Sequence, residues 1–210
     1  MPVSRPAGDT GEADPAVTAA LTDYAAGRKA EHAVLTVVAA SRLLVPVVAI
    51  LAEADADGTE KETEMALPTL IRDDGRKAVI AFTGTDAVKR WRADARPVPV
   101  TAPSLWPAVA AEHADAVVID VAGPVPLVIE GARLRALADG ARLPLPHDDP
   151  DVREQVAAVT GDFTLEPGGE EADLTVVLKT ADPAAARAAA QAIGARLAHR
   201  LRLGIAVRFG

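Results

Sequence analysis

The chain has 210 residues, half of them hydrophobic, with a formal net charge of −8 and no cysteine. That length holds one large domain or two small ones, and the apolar content excludes disorder throughout. The missing cysteines exclude a disulfide framework, a thiolate zinc site and a cysteine nucleophile, while the acidic balance argues against broad attachment to nucleic acid or anionic lipid.

Residues 1–13, rich in Pro, Gly and charge, read as a flexible tail. Asp14-Pro15 has the form of an N-cap followed by proline at the first helical position, and Val17, Leu21 and Tyr24 supply an apolar stripe up to Gly27. Val34 to Ala39 fits a strand or a helical continuation equally well. Leu43 to Leu51 is β-rich, with Pro46 pointing to an edge or a bulge, and an acidic loop runs from Glu53 to Glu64. Leu67–Ile71 and Lys77–Phe82 flank Arg72-Asp73-Asp74-Gly75-Arg76, which predicts a β-hairpin because Asp and Gly tolerate tight-turn backbone angles.

Thr85 or Asp86 is placed to cap a short helix carrying Val88 and Trp91, and Ser104 to cap another reaching Glu112. Between them Pro97-Val98-Pro99-Val100 is extended. Ala116–Val121 reads as a strand, Gly123-Pro124 as a turn, Leu127–Ile129 as a further strand, and Ala132–Asp139 as a helix ending at Gly140. The Pro-rich, acidic 146–150 stretch predicts a linker. Beyond it, helix, strand, strand, helix, strand is expected, with Asp182-Pro183 starting the last helix and Ile193, Leu197 and Leu201 forming its apolar series.

Chemistry is sparse. Only Ser4, Ser41 and Ser104 are serines, none in a Gly-x-Ser-x-Gly elbow, and no phosphate-binding glycine loop is present. His32, His113, His147 and His199 lack metal-ligand spacing, so no cofactor or metal is expected. Alternation in Val117–Val121 puts Asp120 on the opposite face from residues 117, 119 and 121, which makes it a possible pocket acid. Arg90, Trp91 and Arg92, followed by Arg96, form the candidate partner-binding patch, because Arg and Trp combine large contact area with directed polar groups.

Leu43-Leu-Val-Pro-Val-Val48, Met65-Ala-Leu-Pro68, Ala81-Phe-Thr83, Ala95-Arg-Pro-Val-Pro-Val100 and Val118-Ile-Asp-Val-Ala-Gly-Pro124 together resemble the SseB protein N-terminal domain over roughly residues 30–145. The Ala/Arg-rich composition and two-part layout are similar to an actinobacterial member with a variable C-terminal region. The resemblance implies no reaction and carries over no catalytic residue. The expected fold is α+β (mixed α/β). It comprises a mixed-sheet domain with short helices over 14–145, a 146–150 linker and a small α/β unit over 151–210.

The N-terminus lacks the apolar core of a secretory signal, and no apolar run approaches the roughly 20 residues of a membrane span. A cytoplasmic protein without membrane contact is expected. Its function is read as a non-catalytic module binding a protein partner or itself as a homo-oligomer. The alternative is an enzyme or small-molecule binder using Asp120. An RNA- or ribosome-associated protein ranks third, since stacking aromatics are scarce.

Overall fold

The computed structural model describes residues 9–47 and 69–209. The acidic 53–64 loop, the Val48–Leu51 and Leu67–Pro68 ends of two strand segments, and the first eight tail residues lie outside the described residues.

Seven helices and three sheets of an α+β fold are present among the described residues. Contacts divide them into two compact units: residues 1–14 with 42–129, and residues 15–41 with 130–210. The second unit is thus assembled from two distant stretches of chain.

In the first unit, β1 (Arg42–Val47) and β4 (Arg96–Thr101) form an antiparallel ribbon, Pro46 opposite Pro97. Both prolines sit in a two-stranded sheet, where an absent N–H is tolerated at an edge. A four-stranded sheet has the order β2 (Thr69–Ile71), β3 (Lys77–Ala81), β5 (Ala116–Ile119) and β6 (Leu127–Glu130). The predicted β2–β3 hairpin is present. Gly75 takes φ 83°, and the Asp74 carboxylate accepts from the Arg76 N–H at the turn.

β3 and β5 run parallel, and an aspartate fastens each end of the pair. Asp115 accepts from the Lys77 N–H through Oδ2 (2.8 Å) and donates its own N–H to the Lys77 carbonyl. Helices α3 (Thr85–Trp91) and α4 (Ala102–Ala111) lie between the two strands in sequence. Ile80, Phe82, Val88 and Leu44 form one buried cluster of this unit.

Two expected caps differ. The N-cap of α3 is Gly84, not Thr85 or Asp86: an added Cβ there would meet the Ala13 backbone at 2.7 Å. The N-cap of α4 is Thr101, and Ser104 lies inside the helix, its hydroxyl donating to the Thr101 carbonyl. Pro103 already opens the first turn with a preset φ and no N–H to satisfy. The tail is also held from Asp9 onward. Asp9 pairs with Arg42 at 3.1 Å, the Thr85 N–H donates to the Gly11 carbonyl, and Arg42 donates to the carbonyls of Thr83 and Glu12.

In the second unit, α1 (Pro15–Ala25) and α2 (Glu31–Ala39) bury Val17, Leu21, Val34, Leu35 and Val38. The segment that fitted strand or helix is therefore helical, because Val34, Leu35 and Val38 share one buried face at helical spacing. Gly27 ends α1 at φ 66°, where a Cβ would stand 2.9 Å from the Arg202 carbonyl oxygen.

The second stretch comprises α5 (Gly131–Ala138), α6 (Pro150–Ala157), β7 (Phe163–Pro167), β8 (Leu174–Leu178), α7 (Pro183–Leu197) and β9 (Ile205–Phe209). Asp149 and Asp182 cap α6 and α7 by accepting from the N–H two residues on, each followed by proline. The sheet order is β7-β8-β9, with β7 antiparallel and β9 parallel to β8. Leu174, Val176 and Leu178 pack with Val152, Val156, Ile193, Leu197 and Leu201 into its core.

Candidate functional site

The Arg/Trp patch sits on α3 and the start of β4. Trp91 is half-buried, its ring 5.6 Å from that of Phe82, so it anchors the helix to the sheet while one side stays open. The Arg92 guanidinium lies 5.8 Å over that ring and pairs with Asp94 at 3.0 Å. The pairing holds the Asp94 carboxyl below its usual range, chiefly through the Arg92 hydrogen bond. Lys89, Arg90 and Arg96 are exposed. The patch therefore divides into Trp91 with Arg92 over its ring and paired to Asp94, and three outward cations.

Asp120 is placed differently from the alternation argument. β5 ends at Ile119, and Asp120 turns away at φ 52°, so strand alternation does not govern its side chain. It is 7% exposed. Its Oδ1 accepts from the Thr83 N–H (2.9 Å) and its Oδ2 from the Thr83 hydroxyl (2.7 Å). Its own N–H donates to Ala81, and its carbonyl accepts from Gly123. Every one of these bonds ties the end of β5 to the end of β3 or closes the following turn.

A buried cluster of four charged side chains was not read from the sequence. Glu31 on α2, Arg133 on α5, Asp149 before α6 and Arg200 beyond α7 are all buried. Glu31 accepts from Arg133 and, at 3.1 Å, from Arg200, whose Nη2 also donates to Asp149 at 2.6 Å. The Tyr24 hydroxyl donates to the Arg200 carbonyl at 2.8 Å. Burial pushes that phenol up to about 12, with Glu31 adding to the effect.

Burial pulls the Arg133 guanidinium below its usual range; Arg200, opposed by the same burial, is held above it by Glu31 and Asp149. Asp149, in the stretch read from the sequence as a linker, and Arg200, just beyond α7, are thus buried ion-pair partners. The other long basic side chains of that helix end are used locally: Arg202 lies 5.7 Å over the Tyr24 ring, and Arg196 donates to Gln155.

Asp173, also buried, accepts from the Leu203 N–H at 2.9 Å, and burial raises its pKa from 3.8 to about 6. An unfolded chain loses this proton first, so folding stability falls as pH rises from about 4 to about 6 and stays lowered above. Asp173→Asn keeps an acceptor for Leu203 and has no charge to bury. It is expected to match the parent at pH ~4 and to be the more stable at pH ~8, as urea titrations across that range will read.

Among the described residues no group of three or more His, Asp or Glu converges to hold a metal. No helix there is long and apolar enough to cross a membrane. Small sheets flanked by short helices, with the buried acids engaged in fastening strands and helices together, define an open α+β protein.

The chain belongs to the SseB family: the family model described as SseB protein N-terminal domain matches residues 17–136, more than half its length. No curated protein and no solved structure matches it. The matched span runs from α1 into α5 and so takes in residues of both compact units.

Proposed function

We propose that the chain is a non-catalytic cytoplasmic interaction module whose α3–β4 face, Arg90, Trp91, Arg92 and Arg96 with Lys89, docks an acidic segment of a protein partner. The observation that carries this reading is the half-buried Trp91 ring set against Phe82, with the Arg92 guanidinium over it, beside exposed Lys89, Arg90 and Arg96. An anchored aromatic with outward guanidiniums presents a preorganised contact, which lowers the ordering cost of binding. Cations gathered on a chain of net charge −8 select an acidic ligand. The reading of Asp120 as a reacting acid is weakened by its occupied oxygens, each already accepting from Thr83.

The test uses Trp91 as reporter, since Trp106, the second tryptophan, is buried. An oligoglutamate peptide is expected to shift the emission with an affinity that falls as salt rises. Arg90→Glu/Arg96→Glu is expected to weaken it by roughly tenfold or more. Equal binding by the parent and the variant overturns the proposal. Tighter binding of an oligouridine RNA than of the peptide returns the RNA-associated reading.

A further inference from the structure

We infer that β9 is a self-association edge, on which a second copy of this chain adds its own β9 in antiparallel register about Val207. The inference concerns the second unit alone and does not rest on the α3–β4 reading.

β9 closes the β7-β8-β9 sheet, and its five residues pair with β8 on one side. Among the described residues no strand pairs with its outer side, whose backbone groups a further strand can satisfy. Side chains 205, 207 and 209 share the face packed by α7, where Ile205 and Val207 join the core of the unit. Phe209 lies on that same face but is 52% exposed, a large apolar surface beyond the core's edge. Beside the start of the same strand lies a groove of about 410 Å³ with a mixed polar and apolar lining, in which Ile205, Leu201, Leu197 and Ala198 supply apolar wall and Arg202 a charged one. The strand therefore carries an aromatic projection at one end and a cavity at the other. Only an antiparallel copy brings each projection to the other's cavity.

Backbone chemistry and charge select the register. In an antiparallel pair, outward-bonding residues must meet outward-bonding residues, so a two-fold axis passes through a residue and not between two. An axis at Arg208 sets two guanidiniums directly opposite, which is repulsive. An axis at Ala206 leaves Phe209 beyond the paired strand. An axis at Val207 pairs all five residues: Phe209 meets the partner's Ile205, at the lip of the groove, and Arg208 meets the small Ala206. Arg208, the one charge on the strand, pairs with Glu166 of its own sheet, on the face away from α7. Seating Phe209 buries an aromatic ring, a contact large enough to anchor an interface.

Sedimentation equilibrium on the full chain is expected to show a reversible dimer below about 100 μM. Phe209→Ala, at an exposed position, is expected to weaken it roughly tenfold or more without altering the unfolding midpoint of the monomer. The chain contains no cysteine, so Val207→Cys places one thiol per copy on the axis. Mild oxidation is expected to give a covalent dimer far faster for Val207→Cys than for Arg208→Cys. A monomer at all concentrations, a dimer indifferent to Phe209→Ala, or equal cross-linking at 207 and 208 overturns the inference. A dimer abolished by Arg90→Glu/Arg96→Glu but not by Phe209→Ala assigns self-association to the other face and overturns it as well.

Discussion

Glu31→Ala is expected to cost about 3–5 kcal/mol of folding stability and to lower the melting temperature by on the order of 10 °C. The carboxylate is 3% exposed and receives Arg133 and Arg200, themselves buried. Removing it takes away the carboxylate that two buried guanidiniums share, leaving Asp149 to Arg200 and the charge of Glu130 to act on Arg133. The large cost is that of stranded charge, not the net worth of the ion pairs.

Two further variants separate those terms. Arg200→Ala alone is expected to be nearly as damaging, because it uncouples Glu31 and Asp149 from their shared partner. Glu31→Ala/Arg200→Ala is expected to cost clearly less than the sum, with a coupling of about 1–3 kcal/mol. Urea titrations of the three variants provide the measurement. A cost for Glu31→Ala below about 1 kcal/mol, as for a surface ion pair, would show that water reaches the cluster.

The cluster also marks where sequence reading stops. Glu31 lies 102 residues from Arg133 and 169 from Arg200, and each, taken locally, has the appearance of a solvated side chain. Nothing in the spacing announces their meeting, since it depends on α1 and α2 packing into the second unit. Local features fared better. Asp182-Pro183 states its helix start in adjacent residues, and Arg72–Arg76 states its turn in a single Gly and two Asp. Helix α2 was ambiguous because a short run of Val and Leu suits either period, and burial of one helical face decides it.

Caps failed where a backbone approach outweighed a side-chain oxygen, as at Gly84 against Ala13. Trp91 was legible as a residue of a short helix beside arginines, whereas its division from Arg90 and Arg96 needed Phe82 and Asp94 in place. Asp120 was singled out by strand alternation, which its φ of 52° takes out of play, and its partner Thr83 is 37 residues away.

That partner makes Asp120 the second position with a large expected effect. Asp120→Ala removes both acceptors of Thr83, leaving a buried N–H unsatisfied, and puts alanine at a φ of 52°. The two penalties together are expected to reach about 3 kcal/mol. Asp120→Asn is expected to cost only about 1 kcal/mol or less, for three physical reasons. Asn tolerates the left-handed region, its carbonyl oxygen still accepts the Thr83 N–H, and the Thr83 hydroxyl can rotate to accept from the new amide. Thr83→Val, which removes one bond and keeps the other, should fall between them.

The ranking separates the two roles open to this acid. A strand-end fastener follows hydrogen-bond geometry, so the amide substitutes for the carboxylate. A reacting acid follows ionisation, so Asn and Ala are equally disabling and neither need alter stability. Thermal and urea unfolding of the three variants decide the matter. Equal destabilisation by Asn and Ala would show that the charge itself is required at the junction of β3 and β5, whereas unchanged stability in both would reopen the case for chemistry there.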